Sequence, residues 1–237
     1  MRFIVVLWCL IAALMVDPNA ARANTTQTQE AKILAMGDSL MAWHGASDNS
    51  IADVVGRVLG EPVINRSIGG AKIIHALPVT GALGLRISAQ FSGKAAQDKD
   101  WVILNGGGND LYVSCGCGKC RRRMARLISP DGSAGEIPKL VAQIRATGAR
   151  VAYVGYLRSP GVDSSADACL ELGNTLEKRL DAMARKDEGV YFISIADMTK
   201  YGDRSMHGID MVHPSRKASN LIGQRVADVI KKADKVR

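Results

Sequence analysis

From residue 32 onward, short apolar runs alternate with longer stretches in which apolar residues recur every three or four positions. The short runs, at residues 32–36, 63–65, 101–105, 151–154 and 191–195, are each bounded by Gly, Asp, Asn or Pro, which marks them as strands. The longer stretches, at residues 50–59, 81–91, 137–147, 167–185 and 215–232, carry helical periodicity, and Gly60, Gly148 and Gly189 stand where helices would stop. Strands that alternate with helices build an α/β layer fold around a mainly parallel sheet, here of five strands. Ligands of open parallel sheets bind beyond the carboxyl ends of the strands. The long connections 106–135, 156–166 and 196–214 are therefore expected to be irregular and to frame a site.

The N-terminal pattern is different. Arg2 precedes an apolar run from Phe3 to Val16, a polar segment follows, and Ala21-Arg22-Ala23 places small residues at alternate positions. This is the anatomy of a secretory signal at residues 1–23, which would leave Asn24 as the mature terminus and residues 24–237 as a single domain. The run is too short to span a bilayer comfortably, and no other long apolar run exists, so no stable membrane insertion is expected after its removal. The expected location is periplasmic or secreted.

Composition adds two constraints. The chain is 47% hydrophobic and 23% charged, an ordinary globular balance, with a formal net charge of +8. An exported protein rarely meets nucleic acid. Aromatics are only 5% and do not interleave with the basic residues, so a nucleic-acid partner is not expected. Cys9 would leave with the signal, which leaves Cys115, Cys117, Cys120 and Cys169. An even number in an exported chain favours disulfides, and zinc more often takes two Cys-x-x-Cys pairs. A Cys115–Cys117 bridge would be strained, so one bridge within the cluster and one to Cys169 are expected, with a structural metal as the alternative.

The chemistry concentrates in four segments. In Gly37-Asp38-Ser39-Leu40 an apolar strand runs into a turn that exposes the Ser39 hydroxyl at the sheet edge. A serine needs a base within hydrogen-bond reach to act as a nucleophile. Among four histidines, His213 is the best placed: in Asp210-Met211-Val212-His213-Pro214 a carboxylate lies three residues before it, and Asp210 can hold the Nδ1 proton while Nε2 serves Ser39. His44, His75 and His207 are read as loop or core histidines, His207 being the rival. Oxyanion donors can come from the glycines of Asn65-Arg66-Ser67-Ile68-Gly69-Gly70 and from Asn109 in Asn105-Gly106-Gly107-Gly108-Asn109-Asp110, where Asp110 reads as structural.

These four segments, in this order and spacing, resemble the SGNH or GDSL hydrolase family. The resemblance covers most of residues 32–232. It implies a flavodoxin-like three-layer sandwich with helices on both faces of a five-stranded parallel sheet, and ester or thioester hydrolysis without a metal or other cofactor. By position it makes Ser39 the nucleophile, Asp210 and His213 its partners, and the backbones of Ser39 and Gly70 with the Asn109 side chain the oxyanion donors. Gly69 adjoins Gly70, and Gly70 fits the block spacing better.

Residues 115–126 are not an element of that family. Their Arg121-Arg122-Arg123, with Arg126, directly follows the Asn109 loop and is read as a candidate anion-binding group at the site mouth, or else as a solvated face. Trp43 and Trp101 are read as core or pocket wall. The expected substrate is a small-molecule, lipid or glycan ester. An acyltransferase acting on a periplasmic glycan and an inactive binding protein of the same fold are the competing readings.

Overall fold

The computed structural model describes residues 30–93, 96–161 and 164–235, and the expected signal at residues 1–23 lies outside the described residues. Five strands, β1 (Ile33–Met36), β2 (Val63–Asn65), β3 (Trp101–Leu104), β4 (Arg150–Val154) and β5 (Val190–Ile193), pair in parallel in the order β2-β1-β3-β4-β5. Along the chain run α1 (Ser39–Ala42), α2 (Ile51–Leu59), α3 (Pro78–Thr80), α4 (Ile87–Gln90), α5 (Gly108–Cys115), α6 (Arg121–Leu127), α7 (Glu136–Arg145), α8 (Leu170–Ala184) and α9 (Arg216–Asp234). The expected α/β sandwich is the observed one, with strand ends within two residues of those read from the pattern.

Side chains alternate across a strand, and here each parity meets its own layer. Ile33, Ala35, Ile103, Ala152 and Val154 pack with Ile51 and Val55 of α2 and with Ile222, Val226 and Ile230 of α9. Leu34, Met36, Val102, Leu104, Val151 and Tyr153 pack on the other face with Ile137, Leu140 and Ile144 of α7 and with Leu176 and Leu180 of α8. The caps are local. Ser50 accepts from the Asp53 N–H while Asp53 accepts from the Ser50 N–H, a reciprocal box that starts α2, and Gly60 ends it at a left-handed φ of 74°.

Two expectations are corrected. The periodic stretch 81–91 is not one helix. Gly84 sits at φ 101° beside the Ile68 side chain, and Arg86 is extended and bridges to Lys72, so a π-type turn at Gly81–Leu85 is separated from α4. The connection 106–135 is not irregular, since it contains α5 and α6. Both missed helices are short, and each offers only one or two apolar side chains to the core, Leu111 from α5 and Met124 with Leu127 from α6. That is too few repeats for a period to show.

Cys115, Cys117, Cys120 and Cys169 form two disulfides, Cys115–Cys120 within the cluster and Cys117–Cys169 to the distant partner, the arrangement expected over a metal site. Among the described residues no helix is long and apolar enough to cross a membrane.

Candidate active site

β1 ends at Met36 and the chain turns through Gly37, whose φ of 154° and close approach to the Asn105 carbonyl leave no room for a side chain: a Cβ would lie 2.8 Å from that oxygen. Asp38 caps α1, accepting from the Leu40 N–H at 3.0 Å, and so places Ser39 on the first turn. From the other end of the chain, the loop before α9 brings His213 to it. The His213 Nε2 to Ser39 Oγ distance is 2.8 Å, and His213 Nδ1 lies 2.5 Å from Asp210 Oδ2. The second oxygen of Asp210 accepts the N–H groups of Val212 at 3.1 Å and His213 at 3.0 Å. Partial burial pushes the Asp210 carboxyl up, but the His213 ring and these two amides outweigh it and hold the carboxyl at about 2. Asp210 is therefore ionised at neutral pH and can stabilise an imidazolium.

Gly69, Gly70 and Asn109 line the same cavity as Ser39 and His213. Gly70 holds φ 78°, and the space beside its α-carbon is open, so a substrate can approach its backbone. One N–H of the Asn109 amide donates to the Ala71 carbonyl at 3.1 Å, which ties the two oxyanion segments together and leaves the second N–H for a ligand. Asp110 is structural, as expected: it is fully buried and accepts the Ile73 and Ile74 amides at 2.8 and 2.9 Å, pinning the chain that follows Gly70.

Three supporting side chains carry no motif that the sequence reading used for them. Tyr156, just beyond β4, donates its hydroxyl to Asp38 Oδ2 at 2.6 Å and accepts the Gly108 N–H at 2.9 Å, joining the nucleophile turn to the start of the Asn109 helix. Burial raises the Asp38 carboxyl to about 6 against the pull of these hydrogen bonds. Gln90 is buried and grips Gly37 on both sides, accepting its N–H at 2.7 Å and donating to its carbonyl at 2.9 Å. Trp43 stacks on His213 with ring centroids 3.8 Å apart and planes 6° from parallel, fixing the imidazole orientation. The position of Tyr156 at a strand's carboxyl end was a usable signal. For Gln90 the sequence offers none.

The remaining candidates fall elsewhere. Arg123 approaches the buried Asp110 at 4.0 Å, Arg121 and Arg122 are exposed, and none of the three lines the Ser39 cavity. His44 pairs with Ser219, His75 pairs with Thr80, and the buried His207 is outside the cavity. Trp101 is core, with Arg150 over its ring. The cavity itself, about 430 Å³, extends away from Ser39 between α5 and α8, where Leu111, Val113, Leu157, Leu170, Leu172 and Leu176 line it.

Comparison with known proteins agrees with this fold. The fold matches a protein from Slackia heliotrinireducens assigned to the SGNH hydrolases, at 20% identity and a TM-score of 0.55 over 84% of this chain and 98% of that one. It also matches an acetyl xylan esterase from Butyrivibrio proteoclasticus (16% identity, TM-score 0.58, 86% and 64% covered). A family two carbohydrate esterase from Clostridium thermocellum, solved with cellohexaose, matches at 20% identity and a TM-score of 0.59, again over 86% and 64%. At these identities the likeness is one of fold, and no curated protein matches the sequence significantly. Residues 35–220 match the model of the GDSL-like lipase/acylhydrolase family, a span that holds every site residue from Ser39 to His213, and the chain belongs to that family.

Proposed function

We propose that this protein is a serine-dependent carboxylic ester hydrolase that works through an acyl-enzyme. The observation that carries the reading is the unbroken relay Ser39 Oγ, His213 and Asp210, with separations of 2.8 and 2.5 Å. Ser39 Oγ attacks the ester carbonyl carbon while His213 Nε2 takes its proton, and Asp210 stabilises the imidazolium that results. The developing oxyanion meets the N–H groups of Ser39 and Gly70 and the free N–H of Asn109, each such donor being worth about 2.7–4 kcal/mol in the transition state. The alcohol leaves with the proton from His213. Water then attacks the acyl-enzyme with His213 again as base, which regenerates Ser39.

We favour hydrolysis over acyl transfer because the His213–Asp210 pair is open to solvent. The Asp210 side chain is 39% exposed and that of His213 is 24% exposed, so water reaches the acyl-enzyme without a lid opening. Export to the periplasm or medium is part of the same proposal, supported by the Arg2-led apolar run and by two disulfides of a kind that persist in oxidising compartments. Assay of the purified protein on p-nitrophenyl acetate and butyrate beside Ser39→Ala should show turnover that falls by about 10⁴-fold or more in the variant. Turnover retained by Ser39→Ala would remove Ser39 from the chemistry.

A further inference from the structure

The Cys-containing segment, which the family pattern does not explain, lies against the substrate cavity. Cys117 follows the end of α5, Cys169 immediately precedes α8, and their bridge joins the two helices that wall the cavity, with Cys169 itself in the lining. A second tie lies on the same side, where the Tyr112 hydroxyl meets Ser165 Oγ at 2.5 Å. The Cys115–Cys120 bridge folds the intervening turn back onto α5. The wall toward α8 is otherwise reached through residues 157–166, whose described residues form no strand or helix, so the bridge is the cross-link that sets the gap.

The gap is aliphatic. Leu111 and Leu176 are buried at its floor, while Val113 on α5 is 59% exposed and Leu170 on α8 is 47% exposed at opposite rims. Arg158 also borders it, but its guanidinium is spent on Glu177 at 3.1 Å, Asn174 at 2.9 Å and the Tyr156 carbonyl at 3.1 Å, so it offers no free charge to a polar ligand. Exposed apolar rims gain by being covered, and an acetyl group would fill little of a cavity of about 430 Å³. Gly173, on α8, faces the same space with no neighbour nearer than 3.7 Å to where its Cβ would stand.

We propose that the Cys117–Cys169 bridge sets the width of the slot between α5 and α8 and thereby the acyl-chain length that this site prefers. The proposal rests on the ester hydrolase reading above and specifies its acyl group. The bridge acts on specificity and takes no part in bond making.

The experiment compares kcat/KM on p-nitrophenyl esters from acetate to laurate for the oxidised protein, for Cys117→Ser/Cys169→Ser and for Gly173→Leu. The oxidised protein should favour octanoate over acetate by about tenfold or more, since each methylene that finds apolar lining adds to transition-state binding. The bridge-free variant should lose most of that preference, read as the octanoate-to-acetate ratio of kcat/KM, and Gly173→Leu should lose it by filling the slot. A highest rate on acetate in the oxidised protein would overturn the proposal, as would an unchanged chain-length profile in both folded variants. If the double serine variant does not fold, wild type reduced after folding with a phosphine takes its place in the same comparison. Decanoate binding to Ser39→Ala, followed by calorimetry, separates the two readings. Binding that Gly173→Leu abolishes supports the slot even if no ester is turned over, whereas absent binding beside active hydrolysis sinks the slot alone.

Discussion

At the scale of single residues, Asn109 does two things with one amide. It donates to Ala71, which ties its helix to the segment after Gly70, and under the proposed mechanism its second N–H serves the oxyanion. Asn109→Ala should lower kcat by about 10²–10³-fold with little change in KM, because an oxyanion donor acts on charge present only in the transition state. Stopped-flow assay beside a melting curve checks this, and a KM effect alone would place Asn109 outside the oxyanion hole. Ser39, Gly70, Asn109, Asp210 and His213 were all legible in the sequence, since each stands in a short motif whose local turn fixes its direction. Gln90 and Trp43 were not legible in their roles, because each acts through a partner more than fifty residues away, Gly37 and His213 respectively.

At the scale of elements, α2 and α9 cross so closely that Gly223 is squeezed. A Cβ there would lie 2.5 Å from the Val54 Cβ and 3.0 Å from the Ile51 carbonyl oxygen. Alanine at a helix interior normally gains up to about 1 kcal/mol over glycine. Here overpacking should win, and Gly223→Ala should destabilise the fold by about 1–3 kcal/mol in urea unfolding. Gly223→Ala combined with Val54→Gly, which removes that Cβ, should cost less than the sum of the two single variants, and a purely additive double variant would show that the helices do not meet at this pair. Strands and long helices were readable because their burial repeats many times along the chain. α5 and α6 were not, since a helix of seven or eight residues displays too little of its period, and the stretch 81–91 looked helical although Gly84 and the Lys72–Arg86 bridge break it.

At the scale of the whole molecule, Asp38 links the site to stability. Its carboxyl lies at about 6 in the fold against an ordinary 3.8, with burial the main cause. The folded chain thus holds the proton more tightly than the unfolded chain. The contribution is fully present below about pH 4, is lost as pH rises to about 6, and is constant above that. The size is of the order of 3 kcal/mol for this buried group. Unfolding of wild type and Asp38→Asn at pH 4 and pH 7 should show wild type losing ground to the variant by about that amount as pH rises. Parallel behaviour of the two would mean that Asp38 does not titrate in this range. By itself the sequence determined the layer architecture, the four reactive segments and the number of cysteines free to bridge, because alternation, turn chemistry and spacing are local properties of a chain. Only the tertiary structure decided that Arg121, Arg122 and Arg123 stay away from the cavity, that Tyr156 joins the Ser39 turn to the Asn109 helix, and that Cys117 meets Cys169 beside the Ser39 cavity. Those outcomes depend on which surfaces meet when distant segments pack, and nothing local specifies that.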